Sequence, residues 1–174
     1  FNVGKVLLNE GGVYQRLIRL LGREVVPYKF VKEGDFIKID KYIFHILNPY
    51  RNINTNDNSV VIYTELNSKK IMLTGDISKS IENRLIDTYD LKNVDILKVA
   101  HHGSNTSSGE RFLDTLNPEY AVIQCGVNNR FNHPSDIVME RFKVRNIKTL
   151  LTSVNGSIKF KFKEKDVTIK KLIA

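Results

Sequence analysis

From residue 69 to residue 151, short β-rich apolar runs alternate with helical periodicity, and this alternation restricts the fold more than any other feature of the sequence. Residues 69–74, 94–99, 119–124 and 147–151 read as strands. Residues 78–88, 109–116 and 135–144 read as the helices between them, with Ile77, Ile81 and Leu85 marking the first and Phe112, Leu113 and Leu116 the second. Strand, helix and strand in succession imply a parallel or mixed sheet wound by right-handed crossovers, hence an α/β class. In such a sheet the loops that leave the C-terminal strand ends lie side by side, where open α/β sheets place their sites.

Upstream the pattern is mostly β. Residues 12–21 predict an amphipathic helix with Gly22 as its stop, followed by strands at 24–30, 35–39 and 42–47, with Asp40-Lys41 as a turn signal. Runs 59–66 and 69–74 pair as a hairpin across Asn67-Ser68, and 156–163 with 166–172 forms a terminal hairpin. At 174 residues and 41% apolar content the chain can bury a core as one soluble domain, 1–174. No apolar run approaches the roughly 20 residues that a membrane helix needs, and no secretory leader pattern is visible. The opening Phe1-Asn2-Val3-Gly4, without an initiator methionine, reads as the interior of a longer polypeptide. One cysteine, Cys125, excludes an internal disulfide, a thiolate-rich zinc site and a CxxC redox pair.

Three of the predicted loops carry chemistry. Asp76 follows the first strand; His101 and His102 open a hydroxyl-rich loop with Ser104, Thr106 and Ser107 after the second; Arg130 and His133 follow the third. One crossover separates Asp76 from His101, and a carboxylate and an imidazole at converging strand ends suit zinc or manganese. Each has a plainer reading. Asp76 also fits an N-cap of helix 78–88, Ser107 with Glu110 fits a capping box for helix 109–116, and His133-Pro134 fits a helix start. Alternation along an extended segment would point His101 and His102 apart, with His101 the ligand and His102 orienting it or meeting substrate. The exposed N–H groups before helix 109–116 would also serve as a phosphate cradle. His45, alone in an apolar run, reads as a core or edge histidine. With 27 Lys and Arg against 19 Asp and Glu, the net charge of +8 draws polyanions without naming one, and six lysines lie in the C-terminal tract 159–171.

The order Asn56-Asp57-Asn58-Ser59, then Leu73-Thr74-Gly75-Asp76, then Asp95 to Ser108 (DILKVAHHGSNTSS), then Asn128 to Pro134 (NNRFNHP) resembles the metallo-β-lactamase-type domain at the C-terminus of ComEC family competence proteins. The resemblance implies an αββα sandwich, two divalent metal ions (zinc or manganese), and hydrolysis of DNA phosphodiesters during uptake. It implies Asp76 and His101 as metal ligands and catalytic residues, with His133 on the substrate side or handling protons. Asn58, Ser59, His102, Ser104, Thr106, Ser107 and Arg130 would line the substrate. Its partners would be DNA, single-stranded or the degraded strand, and the rest of a membrane channel protein. The implied location is the outer face of the cell membrane, with the cytoplasm as the alternative.

One departure matters. The HxHxDH-type cluster that supplies most metal ligands in this superfamily has no counterpart in the sequence, and the opening strands of the sandwich are missing too. The chain resembles the C-terminal part of the domain, incomplete on its N-terminal side, so weak or absent metal binding and little nuclease activity are expected of it alone. Two other readings stay open: a stand-alone hydrolase of another phosphodiester or an ester, and a degenerate, non-catalytic DNA-binding or channel-docking module.

Overall fold

A computed structural model describes residues 2–49, 56–163 and 166–172. Strand β1 (Val6–Asn9) leads into helix α1 (Gln15–Arg23) and returns as β2 (Tyr28–Val31), which pairs with β1 in parallel. Gly22 lies inside α1 rather than stopping it: the amide of Glu24 still donates to Leu20 O at 3.0 Å. The stretch expected as strand from residue 24 is first a helix exit, with Val25 at φ 54°, so β2 starts only after Pro27.

The principal sheet has seven strands in strict sequence order: β3 (Phe36–Ile39), β4 (Tyr42–Asn48), β5 (Val61–Leu66), β6 (Lys69–Leu73), β7 (Ile96–Lys98), β8 (Tyr120–Ile123) and β9 (Lys148–Leu151). The first four are antiparallel and the last three join in parallel, as the switch from hairpins to crossovers at residue 69 requires. Asn67 and Ser68, both at positive φ, close β5 on β6 with Leu66 opposite Lys69, the two-residue turn whose twist matches that of the strands. His45 is exposed on β4, between β3 and β5, and so is neither a core nor an edge residue.

The crossovers are helices α2 (Lys79–Thr88), α3 (Glu110–Leu116) and α4 (Asp136–Val144). Leu85, Phe112, Leu113, Leu116, Val138 and Phe142 pack on Met72, Leu97 and Ala121, all within a few per cent of full burial. Neighbouring side chains on a strand face opposite ways, so Tyr120 points to the other side of the sheet from Ala121. There it meets Phe160 of the terminal hairpin, β10 (Ser157–Lys163) and β11 (Asp166–Leu172), with ring centroids 6.1 Å apart. A short helix α5 (Thr152–Asn155), which no periodicity announces, connects β9 to this hairpin. Besides the seven-stranded sheet, the described residues form only the two-stranded sheets β1–β2 and β10–β11. No helix among them is long and apolar enough to cross a membrane.

Candidate functional site

Asp76 is not the cap of α2. The N-cap is Ser78, whose amide is held by Asp57 Oδ1 at 2.7 Å, which leaves the Asp76 carboxylate directed elsewhere. Its loop is fixed from behind, because Asp76 N–H donates to Ser59 Oγ at 2.9 Å. Gly75, at φ 58°, lies so close to Ser59 that an added Cβ would fall 2.4 Å from the Ser59 Cβ. The segment carrying Ser59 is itself pinned by Asn48, whose Nδ2 donates to Asp57 O and Ser59 O at 2.8 Å each. Asn58 faces inward at 4% exposure, so its side chain is not open to substrate.

The histidine loop departs from the extended alternation expected of it. His101 and His102 both take left-handed backbone angles, φ 49° and 55°, inside a tight 3-10 turn over residues 100–103. The two rings take different partners. His102 is the one that faces Asp76, with Nε2 3.7 Å from Oδ1. Its Nδ1 lies 2.6 Å from Gln124 O. A carbonyl only accepts, so Nδ1 carries a proton, and that bond fixes the ring with Nε2 turned toward the carboxylate. His101 makes longer contacts, Nδ1 to Thr106 Oγ1 at 3.4 Å and Nε2 to Asn56 Nδ2 at 3.5 Å, and its ring meets the edge of His133 at 5.9 Å.

His133 arrives from the loop before α4. Asn129 grips its backbone at both ends, Oδ1 accepting His133 N–H and Nδ2 donating to His133 O, and Pro134 precedes the N-cap Ser135 rather than opening the helix. Burial, then the proximity of His101 and His102, hold its imidazole below the usual histidine range. Among the described residues its buried Nδ1 has no hydrogen-bond partner. Arg130 is exposed, with its guanidinium 4.6 Å over the Phe131 ring.

Two expectations about the hydroxyl loop fail. No side chain of the loop caps α3: Ser107 is fully buried and its hydroxyl serves Ala100 O and Ser104 O instead. The amides expected to cradle phosphate are already taken. Glu82, on the buried face of α2, accepts Ser108 N–H at 2.7 Å and Gly109 N–H at 2.8 Å. Arg141 of α4 closes the same turn from the other side, donating to Ser107 O and Ser108 O. Ser104 is buried and bonded to Thr106 through their hydroxyls at 3.0 Å, so Thr106 alone of the three is exposed.

Sequence reasoning also passed over Lys98. Its Nζ donates to Gly75 O at 3.2 Å beside Asp76, and burial lowers its pKa against the pull of that carboxylate. A lysine inside the apolar run Ile96-Leu97-Lys98-Val99 was the available signal.

Residues 5–127 match the metallo-beta-lactamase superfamily. The chain belongs to that superfamily. It is 33% identical over 153 residues to ComE operon protein 3 of Bacillus subtilis, covering 87% of this chain and 20% of that protein. It is 35% identical over 120 residues to competence protein ComA of Neisseria gonorrhoeae (67% and 17%), and 34% over 121 residues to recombination protein 2 of Haemophilus influenzae (68% and 15%). The chain thus spans a fifth or less of the length of these relatives, and the resemblance to ComEC-type competence proteins holds over much of its own. Among solved structures, Tm1679, a metal-dependent hydrolase of the beta-lactamase superfamily, superposes with a TM-score of 0.55 at 15% identity, over 87% of this chain and 69% of that one. That likeness concerns the fold, and it agrees with the α/β architecture expected.

Members of the superfamily are metal-dependent. Among the described residues no three His, Cys, Asp or Glu side chains converge to hold a metal ion, whereas a catalytic zinc takes three protein donors. Asp76 and His102 bring only two such groups together, and the described residues do not by themselves fit a catalytic metal.

Proposed function

We propose that this domain handles DNA during uptake, binding single strands and hydrolysing their phosphodiester bonds as part of a channel protein at the outer face of the cell membrane. The observation that carries this reading is the pairing of Asp76 with His102, and of the adjacent His101 with His133, in the loops that follow β6, β7 and β8, in a chain whose relatives are named for competence. Asp76, His101 and His102 would face the scissile phosphate. Lys98 would balance charge beside Asp76. His133, kept neutral, would hold or pass a proton, while Thr106 and Arg130 would meet the backbone. Two divalent ions, zinc or manganese, are the cofactors that superfamily membership suggests.

Charge supports the same partner. On the outer face of the terminal hairpin Lys159, Lys161 and Lys163 alternate along β10, and Lys170 pairs opposite Lys159, all exposed. Along a strand such lysines recur about every 7 Å, a spacing suited to successive phosphates of an extended nucleic-acid strand. Replacing all four with glutamine is expected to flatten the plot of log affinity against log salt for a single-stranded oligonucleotide by about 2–3. An unchanged slope, measured by fluorescence anisotropy across a salt series, would show that the hairpin stays off the DNA.

Cleavage of an end-labelled single-stranded oligonucleotide with added manganese or zinc tests the catalytic reading. Cleavage by the wild type that Asp76→Ala abolishes supports it, and equal cleavage by both removes Asp76 from the chemistry. The absence of three converging donors among the described residues favours a second reading, a non-catalytic DNA-binding module, whose signature is binding without cleavage at any metal concentration.

A further inference from the structure

Beside the candidate phosphate site a cleft of about 430 Å³ opens, walled by His102, Cys125, Asn129, Phe131, His133 and Thr152. Its volume falls in the range of sites that enclose a small planar ligand, roughly 300–1,000 Å³. We infer that this cleft is a nucleobase subsite, taking the base of a nucleotide whose phosphate lies beside the histidine loop at His102. The inference rests on the reading of the domain as one that handles DNA.

Three observations lead there. Phe131, 62% exposed, offers a large ring to solvent in a loop with no folding reason to display one. That ring has partners of the kind that stack: His133, with centroids 5.8 Å apart and planes 21° from parallel, and the Arg130 guanidinium, 4.6 Å from its centroid. Aromatic rings and guanidinium planes are the surfaces on which unpaired bases stack. The third is adjacency, because His102, which lines the cleft, also lies with its Nε2 3.7 Å from Asp76 Oδ1.

The polar groups of the wall also indicate how the base would be read. The amide of Asn129 is committed to Gly126 O and to the His133 backbone. The Thr152 hydroxyl is bonded to Cys125 N and O, and the Cys125 thiol lies 3.3 Å from Ser153 Oγ. With these groups satisfied within the protein, the cleft holds a base chiefly by stacking and shape, the Gln124 side chain and the unpartnered His133 Nδ1 being the polar groups of the wall that remain. It would therefore accept all four bases with small differences, as stacking platforms for single strands do.

The test compares a short single-stranded DNA with an abasic strand of the same length, each fluorescently labelled, in EDTA so that neither is cut. The wild type is expected to bind the natural strand about tenfold more tightly, the gain from stacking one base. Phe131→Ala should bring the natural strand down to the abasic level while leaving abasic binding as it was, and Phe131→Trp should restore the preference. Equal affinity of the wild type for both strands, or a Phe131→Ala loss shared by both, overturns the subsite and leaves DNA handling standing. Binding of neither strand overturns DNA handling and the subsite with it.

Discussion

Alanine at Glu82 is expected to destabilise the protein by about 3 kcal/mol, since it strips the acceptor from two sheltered amides at roughly 1–3 kcal/mol each and leaves a void behind. For a domain of this size the loss corresponds to a fall of roughly 10 °C in the unfolding midpoint. The effect is large because the residue fastens three helices together: it projects from α2, caps the amides of Ser108 and Gly109 before α3, and faces Lys79 and Arg141. Arg141 in turn holds the carbonyls of the same turn from α4 and reaches Glu110 at 4.0 Å. Thermal unfolding followed by circular dichroism measures it, and a drop within 2 °C would mean that water replaces the carboxylate without penalty.

The same residue gives a pH dependence of definite sign. Burial raises the Glu82 carboxyl from 4.5 to about 7, overcoming the two amides and the lysine and arginine nearby. The folded protein then binds this proton more tightly than the unfolded chain, so the contribution is complete below pH 4.5 and is lost as pH rises through about 7. At about 1.4 kcal/mol per unit the loss across that window is about 3 kcal/mol. Glu82→Gln cannot titrate, keeps one acceptor and turns its NH2 toward the other amide. It should start less stable than the wild type at pH 5, and the gap should close by pH 7.5. Parallel melting curves across that range would contradict the shift.

Element by element, the sequence was most legible where periodicity and turn chemistry agree. Asn67-Ser68 and Asp40-Lys41 are two-residue turns, with Asn67, Ser68 and Asp40 at positive φ, and β5–β6 and β3–β4 close across them where turns were expected. The alternation after residue 69 reports burial on one sheet face, and α2, α3 and α4 follow it. What stayed hidden depends on contacts far apart in the chain. The pairing of Ser107 with Glu110 looks locally like a capping box, yet the carboxylate that caps this turn comes from Glu82, 26 residues away from Ser108. Glu82 was readable only as a charged residue among the apolar positions Ile81 and Leu85. The orientation of His101 and His102 depended on backbone angles that a strand-like reading of the preceding run does not anticipate, because both residues take left-handed angles inside the tight turn 100–103, whose Gly103 lies against Pro134.

At Gly75 the site and the fold share one constraint. An alanine there must hold φ near 58°, at about 1–2 kcal/mol for a side chain in the left-handed region. Its Cβ would also lie 2.4 Å from the Ser59 Cβ and 2.8 Å from Ser59 Oγ. Ser59 cannot retreat freely, because its Oγ accepts Asp76 N–H and its carbonyl accepts from Asn48; moving it gives up a bond worth about 1 kcal/mol. Gly75→Ala is therefore expected to cost about 3 kcal/mol in chemical denaturation and to shift the Asp76 carboxylate away from His102. Ser59→Gly removes the obstructing carbon along with the acceptor, so by itself it should cost only about 1 kcal/mol. If the close approach is the cause, the double variant loses less than the sum of the single ones by about 1–2 kcal/mol, a coupling that distant, independent sites do not show. Additive losses would instead place the whole cost of Gly75→Ala in its backbone angle. In the double variant the Asp76 loop still lacks its tether to residue 59, so stability should recover further than oligonucleotide binding does.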